Sequence, residues 1–170
     1  VLDGGSTDAT KKIAEKYGAT VVINEKRLPE LAKQKGLMLA KGKYGIFIDS
    51  DEAFTNMNSL VNRVKCFSQH PDVKNIVSSG QVCAENETGV NRYANFIGDP
   101  FSNFVYRYNG YNRIEDISRQ YQCSEIENGL FIDFQNSAYL PLFDALGNMF
   151  DIEAAREIFQ KQGENKSFAA

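Results

Sequence analysis

Through the first 79 residues, apolar positions switch repeatedly between short continuous blocks and helical spacing. Val1-Leu2 reads as the last two residues of a strand, broken by Gly4-Gly5. Ser6 or Thr7 is then placed to cap a helix through Tyr17, with Ala9, Ile13, Ala14 and Tyr17 at helical spacing and Gly18 to stop it. Residues 19–23 are rich in β-branched side chains and predict a buried strand. Pro29 stands near the start of a second helix through residue 40, with Leu31, Gly36, Leu39 and Ala40 roughly on one side and Gly42 past its end. Residues 44–48 predict another apolar strand, ending at Asp49-Ser50-Asp51. A helix over 58–69 and a strand over 75–79 continue the pattern. Alternation of this kind predicts an α/β fold with a largely parallel sheet covered by helices.

Beyond residue 80 the pattern loosens. Residues 85–128 are rich in Asn, Tyr, Arg and Gly and carry no periodicity that assigns an element. Residues 130–134 predict a strand, and 152–162 an amphipathic helix stopped by Gly163.

Composition narrows the function classes. The 170 residues suit one domain with a single core, and 42% apolar with 24% charged residues is the ordinary globular balance. A formal charge of −3 gives no basic footprint, which excludes nucleic-acid binding as the main task. Cys66, Cys83 and Cys123 are isolated, and His70 is the only histidine, so no zinc site of the usual Cys/His kind can be built. The cysteines read as buried reduced thiols of a cytosolic protein. Sequons at Asn86 and Asn165 matter only in a secretory compartment. No apolar run reaches the roughly 20 residues that cross a bilayer. The opening Val-Leu-Asp-Gly reads as cut in mid-element.

Two acidic turns carry the candidate chemistry: Asp3-Gly4-Gly5-Ser6-Thr7-Asp8 and Asp49-Ser50-Asp51-Glu52. In an open α/β sheet, ligands bind beyond the carboxyl ends of the strands, and parallel strands bring both turns to one edge. The first turn combines glycines, hydroxyls and an expected helix N-terminus, which suit polar or anionic groups. The second sets two carboxylates one residue apart, hard oxygen donors for Mg²⁺ or Mn²⁺ held jointly with substrate phosphates. A carboxylate pair beside a pyrophosphate requires a cation between them. An EF-hand reading of the first turn fails because Asp8 stands where that loop needs Gly. A phosphatase using D-x-D as nucleophile expects Thr or Val where Ala53 stands, and expects the motif near the domain start.

VLDGGSTDATKKIAEKYGA resembles the Asp-Asp-Gly-Ser-x-Asp turn region of family 2 glycosyltransferases with the GT-A fold. LAKQKGLMLAKGKYGIFIDSDEAF resembles that family's Ala-Arg-Asn-x-Gly helix running into its D-x-D strand. The match covers about the first 55 residues, in order and at plausible separation. The resemblance implies a GT-A (Rossmann-like), mostly parallel sheet with helices on both faces, its first βα unit missing from the chain. It implies one domain over 1–170, with 1–79 as the nucleotide-sugar-binding half and 80–170 as the acceptor-binding half. Because the absent strand lies centrally in the family's sheet, the strands at Val1-Leu2 and 44–48 are expected to pair directly or through a bridging strand.

Position by position, Asp3 matches the turn acid that contacts nucleobase or ribose, with Gly5 and Ser6 beside it in the donor-binding turn. Asp49 and Asp51 match the D-x-D, whose last Asp is the usual direct metal ligand. Lys33 falls where the family commonly has Arg toward the donor. Gly4 and Gln34 stand where the family has Asp and Asn, departures that leave the metal-coordinating acids intact. Glu127-Asn128-Gly129-Leu130-Phe131-Ile132 resembles the strand after the acceptor loop. Asp151, before an amphipathic helix, matches the general base of inverting members, with Glu115-Asp116 as the rival pair.

The implied activity is Mn²⁺- or Mg²⁺-dependent transfer, inverting at the anomeric centre, from a UDP- or GDP-sugar to a saccharide or lipid-linked acceptor. The competing reading is a non-catalytic nucleotide-sugar-binding homologue. Location is expected to be cytoplasmic or at the inner face of the membrane, with membrane association of the full-length protein and homo-oligomerisation both left open. Tyr93, Phe96, Phe101, Phe104, Tyr106, Tyr108 and Tyr111 are candidates for stacking on sugars, against ordinary packing of a loop-rich region.

Overall fold

The structure is a computed structural model. It describes the chain except residues 55, 57, 78–82, 98–103, 105–112, 128, 134–146 and 165–170, and except the side chains of 94, 95, 113, 114, 116, 117 and 162–164. In chain order the described elements begin with β1 (Leu2–Asp3), α1 (Thr10–Lys16), β2 (Val22–Ile23), α2 (Pro29–Leu39) and β3 (Tyr44–Ile46). They continue with α3 (Ser59–Gln69), β4 (Asn75–Ile76), α4 (Gly89–Ile97), α5 (Arg113–Gln120) and β5 (Gln122–Ile126). The last are β6 (Gly129–Asp133), β7 (Met149–Asp151) and α6 (Ile152–Glu164). They form two compact units, Val1–Phe47 with Phe150–Ala170, and Ile48–Met149.

In the first unit β1 and β2 pair in parallel, Leu2 opposite Val22 and Asp3 opposite Ile23. The ladder extends through Val22 N to Val1 O at 2.8 Å and Asn24 N to Asp3 O at 2.7 Å. The strand is shorter than residues 19–23 predict. Helix α1 has Ala9 as its N-cap, not Ser6 or Thr7. The reason is local: the Ser6 amide donates to the Asp3 carboxylate, and the Thr10 amide donates to Asp8 Oδ1 at 3.0 Å. Side-chain turns of this sort compete with the helix for the same N–H groups. Gly18 ends the helix as expected, at φ 79. Gly18 N bonds Glu15 O at 2.9 Å and Ala19 N bonds Ala14 O at 3.0 Å, the paired closure that a left-handed residue permits. The expected apolar stripe of α1 is not buried: Ile13 is 53% and Tyr17 81% exposed.

Helix α2 opens with Pro29 in its first turn, where a missing N–H costs nothing, and buries Leu37. A Cβ on Gly36 would lie 2.8 Å from Leu2 Cδ1, so a side chain there would force Leu2 to shift, and 3.9 Å from Phe47 Cε1, an ordinary contact. Its last carbonyls have no partner within the helix. Arg156 of α6 supplies one, donating to Leu37 O at 2.9 Å, Met38 O at 3.2 Å and Ala40 O at 2.6 Å. A cation there also meets the negative end of the helix dipole. β7 is the neighbour of β3, and the Ile152 amide donates to Lys43 O at 3.0 Å. Around them lies the core of this unit: Ile152 is 2% exposed, and the Phe47 and Phe150 rings sit 5.1 Å apart. A Cβ on Gly45 would come within 2.8 Å of the Phe150 ring. Helix α6 runs through Gly163 to Glu164 instead of stopping there.

The second unit holds α3, β4, α4, α5 and the hairpin β5–β6. Among its described residues, Phe67 of α3 and Met149 are the buried apolar side chains. Arg63 Nη1 donates to Gly147 O, 84 residues away in sequence, and its guanidinium lies 5.9 Å over the Phe54 ring. Burial lowers the Arg63 pKa. The hairpin is antiparallel, with Ile126 opposite Gly129 and Gln122 opposite Asp133.

The fold is thus mixed α/β, and its described sheets include a parallel pair and an antiparallel hairpin. The described strands make short separate sheets, not one extended parallel sheet. Among the described residues β1 and β3 neither pair nor share a bridging strand, contrary to the expectation from sequence. The backbone bonds of β1 go to β2, and what β1 and the end of β3 share is packing against α2 at Gly36. No described helix is long and apolar enough to cross a membrane.

Candidate active site

The first acidic turn closes on itself. Asp3 ends β1 and is 4% exposed. Its Oδ2 accepts the Gly5 amide at 3.0 Å, and both carboxylate oxygens accept the Ser6 amide at 3.1 Å. Lys11 Nζ stands 3.8 Å from Oδ2. Hydrogen bonding from Ser6, then from the Gly5 amide, with Lys11 adding attraction, outweighs burial and lowers the Asp3 pKa below its usual 3.8. Gly5 adopts φ 102, which a side chain would resist. The amides that sequence suggested for an anion are therefore already donated to Asp3. With α1 starting at Thr10, the helix N-terminus is not at Ser6 either.

The second acidic turn is open. Glu52 N donates to Asp49 O at 3.1 Å, and Glu52 Oε2 accepts the Asp49 amide at 2.8 Å. That reciprocal pair fixes residues 49–52 as a tight turn. Asp49 is half-buried, while Ser50 and Asp51 at its tip are exposed. Glu52 was legible only as a neighbouring acid. Its three-residue offset from Asp49, the spacing of a reciprocal cap, is the signal that would have found its role. Among the described residues no three His, Cys, Asp or Glu side chains gather into a metal-holding group. The protein's own donors at this turn are then one or two carboxylates. That set fits Mg²⁺ or Mn²⁺, which completes its shell with water and substrate phosphates.

Asp151 ends β7 directly before α6. Its Oδ1 accepts the Ala154 amide at 3.0 Å, the N-cap bond of that helix. The carboxylate is half-buried.

A family model described as glycosyl transferase family 2 matches residues 1–131. The chain belongs to glycosyl transferase family 2. No curated protein and no solved structure matches it.

Membership makes the chain a glycosyltransferase by family, of a kind that uses nucleotide-sugar donors, and implies the GT-A fold. Both acidic turns and Lys33 fall inside the matched residues, whereas Asp151 lies beyond them. Asp3, Gly5 and Ser6 are brought together in one hydrogen-bonded turn of the first unit. Lys33, half-buried in α2, and Asp151 belong to the same unit, and Asp49 and Asp51 to the second. The rival base Glu115 is exposed on α5, and the Asp116 side chain lies outside the described residues. Of the aromatic cluster, Tyr93, Phe96 and Phe104 are exposed at 66%, 56% and 83%, and Phe101, Tyr106, Tyr108 and Tyr111 lie outside the described residues.

Proposed function

We propose that the chain catalyses divalent-metal-dependent, inverting transfer of a sugar from a UDP- or GDP-sugar to a saccharide or lipid-linked acceptor. The observation that carries this reading is the Asp49–Glu52 turn, which holds Asp51 exposed within the residues that match the family. Asp51 and Asp49 would hold Mn²⁺ or Mg²⁺, which supplies charge neutralisation at the leaving diphosphate. Asp3, Gly5, Ser6 and Lys33 line the donor side, with Asp3 acting by fixing the turn. Residues 1–79 carry donor binding and 80–170 acceptor binding, on a GT-A sheet to which the parallel β1–β2 pair belongs.

In the reaction an acceptor hydroxyl oxygen forms the new bond to the anomeric carbon. The bond from that carbon to the diphosphate oxygen breaks, and its electron pair leaves with the diphosphate. Asp151 takes the hydroxyl proton, with Oδ1 held by the Ala154 amide and Oδ2 as the accepting atom. Attack from the face opposite the leaving group inverts the anomeric centre.

The test is a donor screen with Mn²⁺ and mono- or oligosaccharide acceptors, reading nucleoside diphosphate release and product. The reading expects turnover with at least one UDP- or GDP-sugar. Binding of donor without turnover across the screen would favour the non-catalytic homologue.

A further inference from the structure

The glycine face of the first turn carries a guanidinium that no sequence motif assigns. Arg27 lies between β2 and α2, in a segment that folds back on itself. Its amide donates to Asn24 O at 3.1 Å, and the buried Asn24 donates from Nδ2 to Leu28 O at 3.1 Å. Arg27 takes φ 55, the only positive φ at a described residue other than glycine. Arginine rarely adopts that backbone.

The side chain then lies along Gly4-Gly5. The position that a Cβ on Gly5 would take is 3.2 Å from Arg27 Nη2, 3.6 Å from Nε and 3.7 Å from Cζ. For Gly4 the nearest atom is Arg27 Cγ at 4.0 Å. Gly5 thus faces the guanidinium and Gly4 the Arg27 stem, and a side chain at position 5 would crowd Nη2.

Three lysines of the flanking helices are engaged. Lys11 pairs with Asp3, Lys35 Nζ donates to Ile23 O at 2.8 Å, and Lys33 has a partner of its own. Arg27 is exposed, and among the described residues its guanidinium has no carboxylate or carbonyl partner. The Gly5 and Ser6 amides point to Asp3, so a phosphate arriving at this turn meets the guanidinium in place of backbone N–H groups.

We propose that Arg27 is the phosphate-contacting, specificity-determining residue of the donor site, holding the nucleoside diphosphate against the Gly4-Gly5 turn. This rests on the glycosyltransferase reading. A planar guanidinium suits bidentate contact with phosphate oxygens, which an ammonium cannot reproduce.

The experiment compares wild type, Arg27→Ala and Arg27→Lys in Mn²⁺ buffer, with circular dichroism confirming each fold. UDP and GDP are titrated calorimetrically, and uridine and guanosine by NMR. Arg27→Ala is expected to weaken the preferred diphosphate about 10- to 100-fold, the worth of a hydrogen bond to a charged group. The matching nucleoside should bind Arg27→Ala as it binds wild type, and Arg27→Lys should fall between the two for the diphosphate. Unchanged diphosphate affinity in Arg27→Ala would overturn the proposal, as would equal losses for nucleoside and diphosphate. Failure of the wild type to bind either diphosphate would instead refute the glycosyltransferase reading, and this proposal with it.

Discussion

The two acidic turns look alike in sequence and do opposite things with their carboxylates. In Asp3-Gly4-Gly5-Ser6 the acid is buried and its oxygens accept the turn's own amides and face Lys11. In Asp49-Ser50-Asp51-Glu52 the anchoring carboxylate comes from Glu52, and Asp51 is left at the exposed tip. One turn uses its acid as internal scaffold, the other uses an acid to present another. The difference lies in which acid anchors the turn: at Asp3 the first residue's carboxylate accepts the amides that follow it, whereas in the second turn the fourth residue, Glu52, accepts the amide of the first. Asp151 sits between these cases, with one oxygen capping α6 and the other side of the carboxylate assigned to chemistry.

The largest effect expected separates those two jobs of Asp151. Asp151→Asn keeps an N-cap acceptor and so keeps the fold, but it removes the base. Transfer should fall by about 10² to 10⁴, the usual contribution of general-base catalysis, while donor affinity holds. Asp151→Ala should in addition lose roughly 1 kcal/mol of stability with the cap. An active Asp151→Asn beside a dead Glu115→Gln or Asp116→Asn would move the base to α5.

Next in size is the tip acid. Asp51→Ala should lower transfer by about 10² to 10³, the effect of removing one preorganised electrostatic group. Its unfolding midpoint should stay at the wild-type value, since Asp51 is exposed. A variant that transfers normally would show that the open turn is not a metal ligand. One that unfolds would show that Asp51 is scaffold like Asp3.

The smallest effect belongs to Asp3 and is read as pH dependence. Its pKa in the folded chain lies below the ordinary 3.8. The native state therefore binds its proton more weakly than the unfolded chain does. The resulting stability is fully present above about pH 3.8 and is lost as pH falls through the folded value. Chemical denaturation between pH 6 and 2 should show that acid limb in wild type and a flatter one in Asp3→Asn. Superimposable limbs would mean the Asp3 carboxylate is no more engaged than the exposed acids.

Much of this was legible in the sequence, and the failures have physical reasons. Gly18 and Pro29 marked helix ends correctly because their backbone preferences act without tertiary help. Helix α3 and strand β6 followed their apolar patterns to within a residue. The start of α1 was misplaced because Ser6 looks like a cap, while the Asp3 carboxylate claims its amide first. Strand β5 was invisible: Gln122-Cys123-Ser124-Glu125-Ile126 has no clean alternation and is held by pairing to β6. Arg156 closes the end of α2 from 119 residues away, and no local pattern can announce a contact that long in sequence. At the site, residue types gave the acids but not which oxygens were already accepting hydrogen bonds.

The measurement that bears most directly on the open-turn account is the thermal shift given by nucleoside diphosphate with and without metal. UDP or GDP is added at about 100 times its dissociation constant, in Mn²⁺ or in EDTA, to wild type and Asp51→Ala. With Mn²⁺ the wild type should gain a linkage stabilisation of roughly 2.7 kcal/mol, seen as a clear rise in Tm. In EDTA, and in Asp51→Ala with Mn²⁺, the rise should vanish, because diphosphate and carboxylate repel without a bridging cation. Equal shifts in Mn²⁺ and EDTA, or an undiminished shift in Asp51→Ala, would contradict the assignment of the Asp49–Glu52 turn as the metal-bridged donor site.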